Sequence, residues 1–280
     1  MKKAIVVFTK VPRVGEVKTR LTEARGGILT PEEAYSFYES SLLDVIDACL
    51  AVQQVDVWVC YNRDGDSATM DSLLSQVSAP HKIAGVFTDQ GGSFDDCMQF
   101  ATDYILKRGA PERLADAVII VGGDIPTLRP GIIREAFDKL ERLSRSEAGK
   151  KAATKQIKNG DGYIGAAVIE AACQEGGFSV VGLTCTTPFD FYKVFYNQDG
   201  FTALDMLVDK VKAEKIPFAA LEMVPDVDIP VDLASLIPML RAIQVSAESD
   251  PSLLIPKRTL AWLEKTGIQS VALPPERESV

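Results

Sequence analysis

Short apolar runs alternate with amphipathic stretches along the whole chain, the pattern of an α/β fold with a largely parallel sheet. Lys3 to Thr9, Val55 to Tyr61, Lys82 to Thr88, Ala117 to Val121, Phe178 to Leu183 and Pro217 to Met223 read as strands. Ala117 to Val121 is continuously apolar and rich in β-branched residues, as expected of a parallel strand covered on both faces. Helices are predicted over Ala34 to Leu50, Ser67 to Gln76, Phe94 to Lys107, Arg129 to Leu143, from near Thr202 to Lys212, Leu233 to Ala247 and Lys257 to Lys265. The first carries a complete start signal: Thr30 as N-cap, Pro31 at the first helical position and Glu33 at the capping-box position. Between Arg142 and Lys158, six basic residues with almost no apolar periodicity read as an exposed, mobile excursion, with a solvated loop favoured over an anion-binding segment. No internal repeat is present.

In open α/β sheets ligands bind outside the carboxyl ends of the strands, so the residues just beyond each strand are the chemical candidates. Asp124 follows Gly122-Gly123 at the end of the apolar run and is the first candidate metal ligand, although an Asp there also simply opens a turn. The first strand leads into a loop holding Lys10, Pro12, Arg13, Gly15, Lys18, Thr19 and Arg20. Glycine lets backbone N–H groups approach an anion, and the cations supply the charge that a polyphosphate requires; a solvated basic loop is the blander reading. Gln90, Gly91 and Ser93, at another strand end, are candidates for a base or ribose pocket. Asp226 and Asp228, two apart, face the same way if extended and form a second acidic pair for a cation. Asp64 and Asp66 read as a turn.

The charge balance narrows the partners. With 280 residues and 46% hydrophobic content the chain has ample core for one large domain or two small ones. A formal charge of -9 and a pI near 4.8 disfavour a nucleic-acid polymer and an anionic membrane surface. Five cysteines without a CxxC pair point to a reducing cytoplasm and no zinc site. The single histidine, His81, reads as a surface residue in a loop, which leaves most Ser-His and Cys-His nucleophile schemes without their parts. The short apolar N-terminal run meets Lys10 before any small-residue cleavage site and so predicts a strand, not a signal peptide.

Three motifs carry a resemblance. Phe8 to Leu21 spells F-x-K-x-P-x-x-G-x-V-K-T-R-L, Gly122 to Leu128 spells G-x-D-x-P-x-L, and Asp226 to Leu233 spells D-x-D-x-P-x-D-L, with a late R-T-x-x-W-L at Arg258 to Leu263. In these the chain resembles the nucleotide-diphospho-sugar transferase superfamily, with its glycosyltransferase-A-like fold, and within it the bacterial and archaeal glycosyltransferase-like branch related to phospholactate and molybdopterin guanylyltransferases. The resemblance covers nearly the whole chain. It implies a single three-layer α/β/α domain over residues 1–280, a mostly parallel mixed sheet, a polar insertion near 144–161 and a helical C-terminal extension from about 233.

It also implies roles. Lys10, Gly15, Lys18, Thr19, Arg20, Gln90, Gly91 and Gly123 would bind a nucleotide, and Glu175, Gly176 and Gly177 the second substrate. Asp124, Asp228 and Asp226 would hold Mg²⁺ or Mn²⁺, and Lys18, Arg20 and Asp124 would form the catalytic set. Two segments depart from the family pattern: Ala172 with Glu175-Gly176-Gly177-Phe178, where a proline and then Asp-Gly-Gly-Tyr are usual, and Phe94-Asp95-Asp96-Cys97, where Leu-Gly-Glu-Arg is common. The expected activity is nucleotidyl transfer from a nucleoside triphosphate to a phosphorylated small-molecule acceptor. Glycosyl transfer from a nucleotide sugar and a catalytically weakened nucleotide-binding protein are the alternatives. The base, the acceptor and the oligomeric state are not legible.

Overall fold

The computed structural model describes residues 1–160, 162–195, 199–250 and 252–271. Seven strands form one sheet: β1 (Lys3–Thr9), β2 (Asp56–Tyr61), β3 (Ile83–Thr88), β4 (Ala117–Gly122), β7 (Val168–Ala172), β8 (Phe178–Thr184) and β9 (Phe218–Ala220). Their order is β3-β2-β1-β4-β8-β7-β9. The first four are mutually parallel, and β8 runs antiparallel to both β4 and β7. The mostly parallel mixed sheet expected from the sequence is therefore observed.

Alternation along the strands builds the layers. Ile5 and Val7 of β1 face α1 (Pro31–Leu50), α2 (Ser67–Leu74) and α4 (Pro130–Ser144), packing with Leu42, Ile46, Met70 and Phe137. Ala4 and Val6 face the other way, toward α3 (Phe94–Leu106) and α6 (Ala203–Ala213), with Met98, Ile105 and Leu207. A third, smaller core joins the outer side of α1 to α7 (Pro230–Ser249) and α8 (Lys257–Thr266) through Leu21, Phe37, Leu236 and Trp262. The capping box at the start of α1 forms as expected: Thr30 Oγ1 accepts the Glu33 N–H at 3.1 Å, and Glu33 Oε2 accepts that of Thr30 at 2.8 Å. Asp66 serves its turn by capping α2, and His81 is exposed.

The basic excursion departs from expectation. It contains α5 (Glu147–Ala152) and a hairpin of β5 (Ile157–Asn159) and β6 (Gly162–Ile164). Its order comes from the backbone, where a hydrophobic period gives no signal. Ser146 Oγ caps α5 by accepting the Gly149 N–H, and Gly149 O accepts that of Ala166 at 2.8 Å. A Cβ on Gly149 would meet Leu143 O at 2.5 Å, so glycine there permits the close approach while the charged side chains point to solvent. The late strand is shorter than expected, and the helix predicted from Leu233 starts three residues earlier because Pro230 occupies its first position.

One acid lies outside the site described below. Glu170, in the interior of β7, is buried, and its Oε2 has no hydrogen-bond partner. Desolvation pushes its carboxyl above the usual glutamate range. For an acid whose folded value is raised, the contribution to stability is complete below the unfolded value and is lost as pH rises through the folded one. Glu170→Gln should therefore gain melting temperature over the wild type progressively as pH rises above the ordinary glutamate value. Parallel melting profiles across that range would refute a desolvated carboxyl here.

Candidate active site

The site lies where β1 and β4 end side by side, with Phe8 paired to Gly122. The loop leaving β1 is tied back at once. Val11 N–H donates to Asn62 Oδ1 at 2.8 Å, Lys10 N–H to the Tyr38 hydroxyl at 3.4 Å, and that hydroxyl lies 2.7 Å from Thr9 Oγ1. The loop then turns through Lys18, in left-handed conformation (φ 49°, ψ 34°), into a 3-10 turn, Thr19–Leu21, whose Leu21 is fully buried. From this anchorage Lys18 Nζ donates to Asp124 Oδ2 and to Asp228 Oδ1, each at 2.5 Å.

Asp124 reaches this point because Gly122 and Gly123 leave room. Neither has a positive φ; a Cβ on Gly122 would meet Asp124 Oδ1 at 2.7 Å, and one on Gly123 would meet Leu42 Cδ1 at 2.8 Å. Close packing, more than flexibility, requires glycine there. Asp228 is delivered from the opposite side by its neighbour Asp232, whose Oδ2 accepts the N–H groups of Asp228 (3.0 Å) and Ile229 (2.9 Å) at the start of α7. Gln174 holds Asp226 in a two-way contact with its backbone, donating to its carbonyl and accepting its N–H, both at 3.2 Å. Arg20 completes the group, 3.6 Å from Asp228 Oδ2 and 3.4 Å from Glu175 Oε1.

The electrostatics follow from who reaches the ammonium. Burial works to lower the Lys18 pKa, but the charges and hydrogen bonds of Asp124 and Asp228 outweigh it and the pKa is raised. Burial works to raise Asp228, and Lys18 with Arg20 reverses it, leaving that carboxyl below the usual range. Asp226 is pushed up to about 6, by burial first and then by the charges of Asp124 and Asp228. Tyr38, with its ring centroid 5.8 Å from Lys18 Nζ, is raised by burial and by Asp124. Burial, with Asp226 and other nearby carboxylates, also keeps the Cys173 thiol protonated.

These groups line one cavity of about 820 Å³. Of the residues expected from the sequence it brings together Lys10, Lys18, Thr19, Arg20, Gly123, Asp124, Glu175, Gly176, Gly177, Asp226 and Asp228. Gly15, Gln90 and Gly91 do not line it; the contributions from that part of the chain are Asp89 and Phe94. The cavity also takes in Tyr38 and Gln174, which the sequence did not single out, and an aromatic wall of Phe94 and Phe178, from the two segments that depart from the family pattern, with Phe195. Phe195 joins the wall, its ring 4.6 Å from that of Phe94 and 5.0 Å from that of Phe178. The phenylalanines come from a helix start, a strand start and a loop, so no sequence period marks them. By sequence, Phe195 opens an acceptor loop ahead of the helix that starts near Thr202, and residues 196–198 of it lie outside the described residues.

Asp124 and Asp228 offer hard oxygen donors, and their meeting point already holds a stand-in cation, the Lys18 ammonium. That donor set suits Mg²⁺ or Mn²⁺, which take one or two carboxylates together with substrate phosphates. Among the described residues, no three His, Cys, Asp or Glu side chains are arranged as a ready-made metal cage.

The architecture has solved counterparts. A protein from Desulfovibrio desulfuricans G20, provisionally named a nucleotide-diphospho-sugar transferase, is similar over 95% of this chain and 96% of its own, with 20% identity and a TM-score of 0.68. A cytidylyltransferase from Leptospira borgpetersenii serovar Hardjo-bovis (strain JB197) aligns over 98% of this chain and 99% of its own, with 13% identity and a TM-score of 0.49. A search of curated proteins finds no match. The likeness to the Desulfovibrio protein shows a shared α/β fold, of the kind that the motifs implied. Residues 45–198, more than half of the chain, match the family model described as "Uncharacterized protein conserved in bacteria (DUF2064)", and the chain belongs to that family.

Proposed function

We propose that this chain is a metal-dependent, nucleotide-utilising transferase and that its reaction is nucleotidyl transfer. The observation that carries the reading is the convergence of Lys18 and Arg20 with Asp124, Asp226 and Asp228 at the carboxyl ends of β1 and β4. Lysine and arginine there suit the charge of a triphosphate, while the aspartates suit a divalent cation. A nucleotidyltransferase needs no covalent nucleophile, because catalysis of phosphoryl chemistry is mainly positioning and charge stabilisation. The cavity fits that demand: it contains no histidine, and its one cysteine is held protonated.

In the proposed reaction an oxygen of the acceptor phosphate attacks the α-phosphorus of the triphosphate. The bond from that phosphorus to the α–β bridging oxygen breaks, and pyrophosphate leaves with the electron pair. Lys18 and Arg20 bind the β- and γ-phosphates and stabilise charge on the leaving group. Lys10 adds positive charge at the mouth, and Glu175-Gly176-Gly177 borders the acceptor. Asp124 and Asp228, with Asp226 beside them, would hold Mg²⁺ or Mn²⁺, which supplies neutralisation of phosphate oxygens when bound. The phenylalanine wall gives the base or the acceptor an apolar surface on which to lie.

Thermal-shift measurements with nucleoside triphosphates, diphosphates and nucleotide sugars, each with and without Mg²⁺ or Mn²⁺, test the reading directly. A metal-dependent rise with one triphosphate supports it. Preference for a nucleotide sugar would turn the reaction to glycosyl transfer, and no shift with any of them would favour a non-catalytic protein. Asp124→Asn and Asp228→Asn should each lower metal-dependent turnover by about a hundredfold or more with the fold retained in circular dichroism. Full activity in either would remove that residue from the site. Arg20→Ala should weaken triphosphate binding by about tenfold, the worth of one charge-assisted contact at a half-exposed arginine. Arg142→Ala, on the exposed side of α4, should leave it unchanged, and equal losses would show the phosphate pocket to be elsewhere.

A further inference from the structure

Lys18 stands at the place where the proposed cation belongs. Its Nζ lies 2.5 Å from one oxygen of Asp124 and 2.5 Å from one oxygen of Asp228. Magnesium–oxygen distances are about 2.1 Å, so an ion held by the same two oxygens would need the ammonium's own position. Two cations do not share it. We infer that Lys18 is a resident counter-ion which a divalent cation has to displace, so that the site resists free metal until an anion draws the ammonium away. The inference rests on the reading above, that the site takes a metal together with a nucleotide.

Two further observations point the same way. The Lys18 side chain is only 7% exposed, and among the described residues its hydrogen bonds go to these two aspartates. A buried ammonium without a counter-charge is strongly disfavoured, so departure is unfavourable unless a new anion is at hand. The phosphates of the proposed substrate are that anion. The lysine stem has four carbons and rotates freely, so the head group is able to move from carboxylates to phosphate while the buried Leu21 keeps the loop in place.

The test measures Mn²⁺ binding to the full chain without nucleotide, by electron paramagnetic resonance of the free ion. Lys18→Met should bind Mn²⁺ about tenfold or more tightly than the wild type, because the competing cation is gone while both carboxylates remain. Lys10→Met lines the same cavity without touching the aspartates and should change the affinity far less. Adding Asp124→Asn to Lys18→Met should abolish the gain. Lys18→Gln serves as the second variant if Lys18→Met does not fold, and circular dichroism reports folding for each. Equal Mn²⁺ affinity in wild type and Lys18→Met, lost on Asp124→Asn, would overturn the inference while leaving the metal site standing. Tight Mn²⁺ binding by the nucleotide-free wild type, in the micromolar range or below, would overturn it as well. Failure of every variant to bind Mn²⁺, together with no nucleotide-induced thermal shift, would instead remove the functional reading on which it rests.

Discussion

One buried ammonium, Lys18 Nζ, holds together three segments that lie more than a hundred residues apart, around positions 18, 124 and 228. Removing an ammonium from water costs several kcal/mol, and a single carboxylate seldom repays it in full. Two short contacts to separate aspartates do, and the direction of the Lys18 shift reflects this. The same geometry separates Asp228 from Asp226. Asp228, touched by Lys18 and approached by Arg20, is held below the usual range. Asp226 lies among the same charges without a cation of its own and is pushed up to about 6.

The rest of the fold fixes where that meeting occurs. Parallel pairing of β1 with β4 brings Thr9 and Gly122 to one edge, and the small volumes of Gly122 and Gly123 let Asp124 pass beneath α1. Asp228 depends on the C-terminal helices. Asp232 caps α7 and in doing so fixes the Asp228 backbone. The same helix buries Leu233, Leu236, Ile237 and Leu240 in the core that also holds Leu21, three residues beyond Lys18. Then α8 clamps onto α1: Arg258 bridges Asp44 and Asp47, Thr259 donates twice to Asp44, and the Trp262 indole donates to Ser36 Oγ at 3.0 Å. The late R-T-x-x-W-L motif is thus structural, and it secures the helix pair that carries the second aspartate.

What could be read from the sequence divides along physical lines. Strands and helices with a clear period, and ends with capping chemistry such as Thr30 to Glu33, were legible because each signal is local. The acids and cations of the site were legible because strand ends in such a sheet share one edge, so placing a strand places its last residue. Three things were not legible. The 142–162 excursion is ordered by backbone hydrogen bonds and close-packed glycines, which leave no hydrophobic period. Gln90 and Gly91 follow a strand as a base-pocket segment would, yet the chain bends at Gly91 (φ 147°) toward the start of α3, so Asp89 and Phe94 line the cavity in their stead. The ion pairs within the site joined residues whose types were all foreseen, but their pairing depends on side-chain reach, which spacing does not encode.

Lys18 and Arg20 of the first loop are already paired with acids of this chain, and the pairs differ in strength. Arg20 and Glu175 meet at 3.4 Å with side chains 48% and 62% exposed, so water and salt screen the attraction and the pair is worth at most about 1 kcal/mol. The contacts of Lys18 are shorter, better aligned and buried, and they are correspondingly harder to break. On the proposed reading, an incoming polyphosphate would therefore capture Arg20 first, releasing Glu175 toward the acceptor side of the cavity, and would draw Lys18 away from Asp124 and Asp228 only after that. The departure from the family pattern at Glu175 fits this order. Glu175 in left-handed conformation (φ 57°), followed by Gly176 at φ 71°, meets the arginine at 3.4 Å.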